Sequence, residues 1–173
     1  ILKTSDGAIL NLQTSDTTVT ADSVLGAINF QAPDEASGTD AILIGSKIEA
    51  IAEGTFSASS NATSLVFSTA SSAAAGTVSG KMTFTSGGNL IIKDTDTADG
   101  SSPTITLQSG DTDIAADDVL GSINFQAPDE GTGTDAILVA AGIEAVSEGD
   151  FSSSSNATKL VFKTGSSETA TEK

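Results

Sequence analysis

The sequence predicts an all-β protein made of tandem antiparallel β-sheet repeat modules, and three observations carry that prediction. The eight residues INFQAPDE occur at Ile28–Glu35 and again at Ile123–Glu130, 95 positions apart. Short stretches alternate apolar and polar residues with the period of two that a half-buried strand imposes. Clusters of Gly, Ser, Asn, Asp and Pro separate those stretches, as turns require.

The repeat is extensive. A shift of 95 sets Leu12–Ser72 on Leu107–Ser167 without a gap, and 41 of those 61 positions are identical, which makes a whole module the repeated unit. The differences are mild: Ile114 stands for Val19, Val139 for Ile44 and Val146 for Ile51. Lys173 matches Lys81 once three residues are deleted from the preceding loop. The expected domains are module 1 over 1–90 and module 2 over 91–173. Module 2 is incomplete at its C-terminal end, where an equivalent of MTFTSGGNL, Met82–Leu90, would follow. The chain opens at Ile1 in what reads as mid-strand, as an internal segment of a longer protein would.

Taken in order, AINFQA places Ile28 and Phe30 on one strand face and Asn29 and Gln31 on the other. PDEASGTD follows as a loop. AILIGSKIEAIAEG is ambiguous, because Ile44, Ile48 and Ile51 fit a helical face while Ile42, Ile44, Ile48, Ala50 and Ala52 share a strand face. The second copy, with Ile137, Val139, Ala141, Ile143 and Ala145, favours a long strand; so do Gly142 and the β-branched residues. SLVFST and KLVFKT are short strands, each after a Ser/Asn turn. KMTFTS sets Met82 and Phe84 on one face, and SGGN turns the chain into LIIKD as a hairpin, Gly supplying positive φ without a steric penalty. TITLQ opens the second body of strands. TADSVLG, repeated as AADDVLG, is the one helical candidate, a single turn at most with Gly26 or Gly121 as its stop.

Phe recurs in register, Phe30 with Phe125, Phe56 with Phe151 and Phe67 with Phe162. Platforms that stack on sugar rings favour Trp and Tyr, and both are absent. The expected core is therefore Ile28, Phe30, Phe67, Ile123, Phe125 and Phe162, with the acidic residues facing water. A module of about 90 residues with an Ala-rich core is marginal alone, because small domains bury a smaller fraction of their surface. Its strand edges are also exposed. Association of several chains side by side answers both problems.

Composition narrows the function. The 23 acidic residues face only seven basic ones, all lysine, for a formal charge of −16. Nucleic acid and anionic lipid are repelled by such a chain, since binding either relies on cationic groups. No apolar run approaches the length of a membrane span, so membrane insertion is not expected. His and Cys are absent, which removes Ser-His-Asp, thiolate and zinc chemistry. Carboxylate pairs and oxygen-ligated cations remain.

DTDTADG gives a weak candidate cation loop in Asp94, Asp96 and Asp99, but it lacks the bidentate Glu that an EF-hand requires. The first copy reads TSDG there, and a solvated Asp turn is the preferred reading. The acids of the repeated loop, Asp34, Glu35 and Asp40 with Asp129, Glu130 and Asp135, suit self-capping turns, because a catalytic loop seldom needs duplication. NAT at Asn61 and Asn156 matches a glycosylation acceptor, but the plainer reading is a turn. No catalytic residue and no cofactor are expected.

The stretch from Leu107 to Thr164 resembles a repeat found in fibre proteins of tailed bacteriophages, particularly marine ones. The matching residues are Leu120-Gly121, Ile123, Phe125, Ile143, Ala145, Glu148-Gly149, Leu160, Phe162 and Thr164, with Met82, Ser86 and Gly88-Asn89 closing the first copy. The resemblance implies an elongated homotrimeric fibre shaft in the virion, outside the cell, associated with other fibre or tail proteins. Such fibres often end in an endosialidase-type intramolecular chaperone, and nothing in these residues matches that domain. The implied role is to space and present a receptor-binding tip for host attachment, with receptor contact outside this segment. A bacterial surface adhesin or extracellular filament subunit is the alternative. A glycan-cleaving tailspike is disfavoured by the missing Trp and Tyr.

Overall fold

The computed structural model describes residues 7–32, 42–70, 79–127, 137–166 and 169–172. Among them the chain is all-β, with nine strands and no α-helix. It divides into two compact units, Ile1–Pro103 and Thr104–Lys173.

Unit 1 is one antiparallel sheet with its strands in chain order: β1 (Val24–Gln31), β2 (Ile44–Ala52), β3 (Thr63–Thr69), β4 (Ser79–Phe84) and β5 (Leu90–Ile92). Unit 2 repeats the plan with β6 (Val119–Gln126), β7 (Val139–Ser147), β8 (Thr158–Thr164) and β9 (Thr171–Glu172). The ambiguous stretch is a strand in both copies. Its alternate residues pair on both sides: Ile48 lies opposite Ile28 on β1 and Phe67 on β3, a cross-strand arrangement that no helix offers. Each strand pairs antiparallel with the next along the chain. At the β4–β5 turn Gly88 takes φ 79°, and the Thr85 N–H donates to the Asn89 carbonyl at 3.0 Å.

The repeat extends to the irregularities. β1 shifts register against β2 at Val24/Gly26 and Phe30/Gln31, and β6 shifts against β7 at Val119/Gly121 and Phe125/Gln126. The pairs Thr69 with Ser79 and Thr164 with Thr171 are equivalent, which puts the three-residue deletion between β8 and β9.

Two local expectations are corrected. The helical turn ending at Gly26 or Gly121 is a tight turn at 21–22 and 116–117, and both glycines lie inside strands. The turn depends on Asp22 (φ 67°) and Asp117 (φ 69°), since Asp tolerates the left-handed region better than most residues. Their N–H groups donate to the carbonyls of Ala52 at 2.8 Å and Ser147 at 3.0 Å. Gly26 is needed for a close approach: a Cβ there would lie 2.6 Å from the Cβ of Leu12, and one at Gly121 would lie 2.8 Å from the Cβ of Leu107. TITLQ is likewise not a strand. It carries no ladder, and its Leu107 lies over Gly121 as Leu12 lies over Gly26.

The core is also placed differently within one chain. Strand-to-strand packing runs between ladder neighbours, so each sheet is a single layer. Most of its buried strand side chains, Glu49, Ser64, Val66 and Ser68 in unit 1 and Val146 and Val161 in unit 2, lie by strand alternation on the face opposite Ile28 and Phe30, whereas Ala52 and Ser147, at the ends of β2 and β7, are buried on the same face as Ile48 and Ile143. Of the predicted core residues Phe67 is half-buried, while Ile28, Phe30, Ile123, Phe125 and Phe162 are 43–57% exposed. The physical reason is the single layer: among the described residues no second sheet covers this face, which the segments carrying Leu12 and Leu107 reach beside Gly26 and Gly121.

Candidate functional site

The feature that distinguishes both units is that open apolar face. In unit 1 the register lines up two complete rows across five strands. One row is Ile28, Ile48, Phe67, Met82 and Ile92; the next is Gly26, Ala50, Leu65, Phe84 and Leu90. Period-2 alternation fixes which side chains share the face, and antiparallel pairing fixes which stand abreast. In unit 2 the rows are Ile123, Ile143 and Phe162, then Gly121, Ala145 and Leu160. Phe30 opposite Ser46, and Phe125 opposite Ala141, extend the face toward the end of each sheet.

Each face holds a shallow groove. Leu12, Leu25, Ile28, Ile48 and Leu65 line the first with Glu49, and Leu107, Leu120, Ile123, Ile143 and Leu160 line the second with Glu144. The missing Cβ of the glycine lets the preceding segment press its leucine onto the face, which forms one wall. In unit 1 Phe84 meets Phe67 edge-on, with ring centroids 6.3 Å apart and planes at 75°.

By strand alternation Glu49 and Glu144 belong to the other face, and each also borders its groove. Glu49 is 6% exposed and forms an ion pair with Lys47 at 2.6 Å, two residues away on the same strand face. In unit 2 Gly142 replaces that lysine, and Lys163 on the neighbouring strand reaches Glu144 at the same 2.6 Å. Lys47 stands opposite Ser68, and Gly142 opposite Lys163. The cation therefore sits on either strand of one cross-strand pair and neutralises the same carboxylate. The Ser68 hydroxyl has no hydrogen-bond partner among the described residues.

A second carboxylate ties three segments together. Glu53, just after β2, accepts a hydrogen bond from the Ser64 hydroxyl at 2.5 Å and from the Ser86 N–H at 2.8 Å, and its other oxygen accepts from the Ser86 hydroxyl. The Ser64 bond first, then the two from Ser86, hold its carboxyl below the usual glutamate range. In the sequence Glu53-Gly54, the counterpart of Glu148-Gly149, and the closing Ser86 with Gly88-Asn89 are separate pieces. Their spacing of 33 residues gave no sign that they meet.

The other sequence candidates do not gather into a site. Asp94 and Asp96 turn their carboxylates onto the chain's own backbone, accepting from the Asp96 N–H and the Ala98 N–H at 2.9 Å each, while Asp99 stands exposed. Among the described residues no three acidic side chains cluster closely enough to hold a metal ion. Asp34, Glu35, Asp40, Asp129, Glu130 and Asp135 lie outside the described residues. In each NAT triplet the Thr hydroxyl donates to the Asn carbonyl at 2.9 Å, shaping the turn before β3 and β8.

No family model matches the chain, and no curated protein does. Two solved structures from bacteriophage T5 are similar to it. One is the carboxy-terminal domain of the L-shaped tail fibre, 12% identical, with all of this chain and 84% of that one aligned at a TM-score of 0.48. The other is the same domain with its intramolecular chaperone domain, also 12% identical, covering 99% of this chain and 58% of that one at a TM-score of 0.49.

Proposed function

We propose that this chain is a structural shaft segment of a bacteriophage fibre, assembled as a homotrimer, that spaces and presents a receptor-binding tip for host attachment. The observation that carries the reading is the pair of tandem sheets, each leaving one in-register apolar face open. A shaft of several chains needs modules that are unfinished on one side and repeat along the chain. The order of motifs from Leu120-Gly121 to Thr164, with Ser86 and Gly88-Asn89 closing the first copy, supports the phage assignment over an adhesin. The repeat gives modules over 1–90 and 91–173, and Ile28, Phe30, Phe67, Ile123, Phe125 and Phe162 become core on assembly. The chain's role is mechanical, with stiffness, length and avidity from three copies. It works on the virion, outside the cell, beside other fibre or tail proteins, and it acts without catalysis or a cofactor.

Sedimentation equilibrium of the chain tests this reading. Three times the monomer mass is expected, and a monomer at micromolar concentration sinks it. Gold-labelled antibody against the chain should decorate fibres on phage particles. Decoration of a bacterial surface would favour the adhesin, and turnover of polysaccharide by the purified chain would replace the structural role with an enzymatic one.

A further inference from the structure

We infer that the outer edge of β8 is a strand-accepting site whose occupant is a β-hairpin of the chemistry of Met82–Leu90: two large apolar residues two positions apart, then a serine at the turn. The site belongs to one sheet edge and stands whether or not the chain is part of a fibre.

Unit 1 shows the same edge filled. There β4 lies along β3, with Leu65 opposite Phe84, Val66 opposite Thr83 and Phe67 opposite Met82. In unit 2 the counterpart of β3 is β8, and its ladder with β9 runs through Lys163 and Thr164. Among the described residues no strand stands beside Leu160, Val161 and Phe162 on that edge. The Gly165 N–H donates to the Ala140 carbonyl on the β7 side, so by alternation the backbone groups of Leu160 and Phe162 point away from β7. Extended segments add readily to such an edge unless charge or proline guards it. Leu160–Phe162 carries neither, and the flanking Lys159 and Lys163 are drawn to Asp117 and Glu144.

Three features select the hairpin. The first is apolar area. Leu160 and Phe162 are 62% and 57% exposed, whereas Leu65 beside Phe84 is 42% exposed and Phe67 beside Met82 is half-buried. The second is register. β9 takes the positions of Ser79 and Gly80, so the places left open along β8 are those of Met82, Thr83 and Phe84. The third is a waiting acceptor. Ser86 gives Glu53 its N–H at 2.8 Å and its hydroxyl as well. Glu148, the counterpart of Glu53, is exposed and accepts no hydrogen bond among the described residues. Lys159 stands where Ser64 serves Glu53, so the serine of the incoming hairpin is the donor that fits Glu148.

Amide exchange reads the site at the residues that define it. The parent is compared with a chain extended after Lys173 by a copy of Met82–Lys93, which holds the hairpin at high local concentration. In the extended chain the Leu160 and Phe162 amides should exchange at least tenfold more slowly than in the parent, while Val161, which faces β7, stays the same. An extension with serine at the counterparts of Met82 and Phe84 should leave both amides fast. Glu148→Gln in the extended chain should quicken exchange at the incoming serine several-fold. Leu160 and Phe162 amides as fast in the extended chain as in the parent overturn the inference. Equal protection by the serine-substituted extension overturns the apolar chemistry assigned to the occupant, and an unchanged serine amide in Glu148→Gln overturns the part assigned to that carboxylate. Protection of Leu160 and Phe162 in the parent alone, rising with its concentration, gives the edge to a second copy and overturns the inference as well.

Discussion

Units 1 and 2 carry the same apolar rows on three strands and differ in what stands beside the third. In unit 1 the β4–β5 hairpin sets Met82 next to Phe67 and Phe84 next to Leu65, and it adds the edge-on contact between the two rings. Phe67 is half-buried and Leu65 42% exposed. In unit 2 the neighbour is β9, whose two residues are Thr171 and Glu172, and Phe162 and Leu160 rise to 57% and 62% exposed. A sheet of one layer shields its large side chains sideways, by the strand alongside, because no second sheet among the described residues covers them. The hairpin is therefore part of the face as well as the end of the sheet.

The sharpest way to break the comparison uses the transposed lysine. Lys47→Ala leaves the nearly buried Glu49 without its cation, and we expect a loss of about 2–3 kcal/mol of stability, the lower end for breaking a buried pair because Lys47 is itself partly exposed. Adding Ser68→Lys to that variant copies the arrangement of unit 2 and should restore most of the loss. Urea denaturation of the parent, the single and the double variant measures the cycle. A double variant no more stable than the single one would show that the two arrangements are not interchangeable.

Gly26 tests whether the leucine wall depends on a missing side chain. Gly26→Ala puts a Cβ where Leu12 already lies, and forcing the two apart should cost about 1–2 kcal/mol. Gly45→Ala is the control, since a Cβ there meets only the Phe30 carbonyl at 3.7 Å, an ordinary contact. The urea midpoint should fall for the first and hold for the second. Gly121→Ala should behave like Gly26→Ala, because Leu107 approaches it in the same way.

Much of this was legible in the residues. Alternation located the strands, and the two copies resolved the stretch over Ile44–Ala52 where one alone was ambiguous. Alternation also set Ile28 and Phe30 on the same face as each other. It said nothing of which face one chain buries by itself, because a pattern of period two is the same whether the cover is intramolecular or another chain. Gly26 reads as a helix stop in the sequence because its reason, Leu12, lies 14 residues earlier and comes close only in three dimensions. Glu53 was visible as a turn acid, but its partners Ser64 and Ser86 sit on other elements. Contacts of that kind follow from register, which composition does not fix.

A smaller effect belongs to Ser147, which is fully buried where unit 1 has Ala52. Its hydroxyl donates to the Ala115 carbonyl and accepts from the Asp118 N–H at 3.0 Å. Ser147→Ala should cost about 1 kcal/mol, the net worth of ordinary hydrogen bonds, because unit 1 closes the same corner without them. A loss several times larger in the urea midpoint would mean that the corners are built on different principles.

The smallest expected effect is the most specific to unit 1. Glu53 joins the end of β2, the start of β3 and the β4–β5 turn, whereas in unit 2 Lys159 stands in place of Ser64 and pairs with Asp117 at 3.7 Å. Because its hydrogen bonds depress the folded carboxyl below the unfolded value, their contribution is complete above the ordinary glutamate pKa, about 4.3. It is lost as pH falls through the depressed folded value. Amide exchange at Ser86, corrected for intrinsic rate, should therefore quicken in acid in the parent chain. Glu53→Gln should show faster exchange at neutral pH and little further change on acidification, since its amide cannot titrate. The Asp117 amide in unit 2, bonded to a carbonyl, provides the internal reference and should not respond to the substitution. If Ser86 protection at neutral pH were the same in Glu53→Gln as in the parent, the hairpin would be held by its strand pairing and the apolar contacts of Phe84 alone, and the carboxylate would be incidental to the face that unit 1 builds.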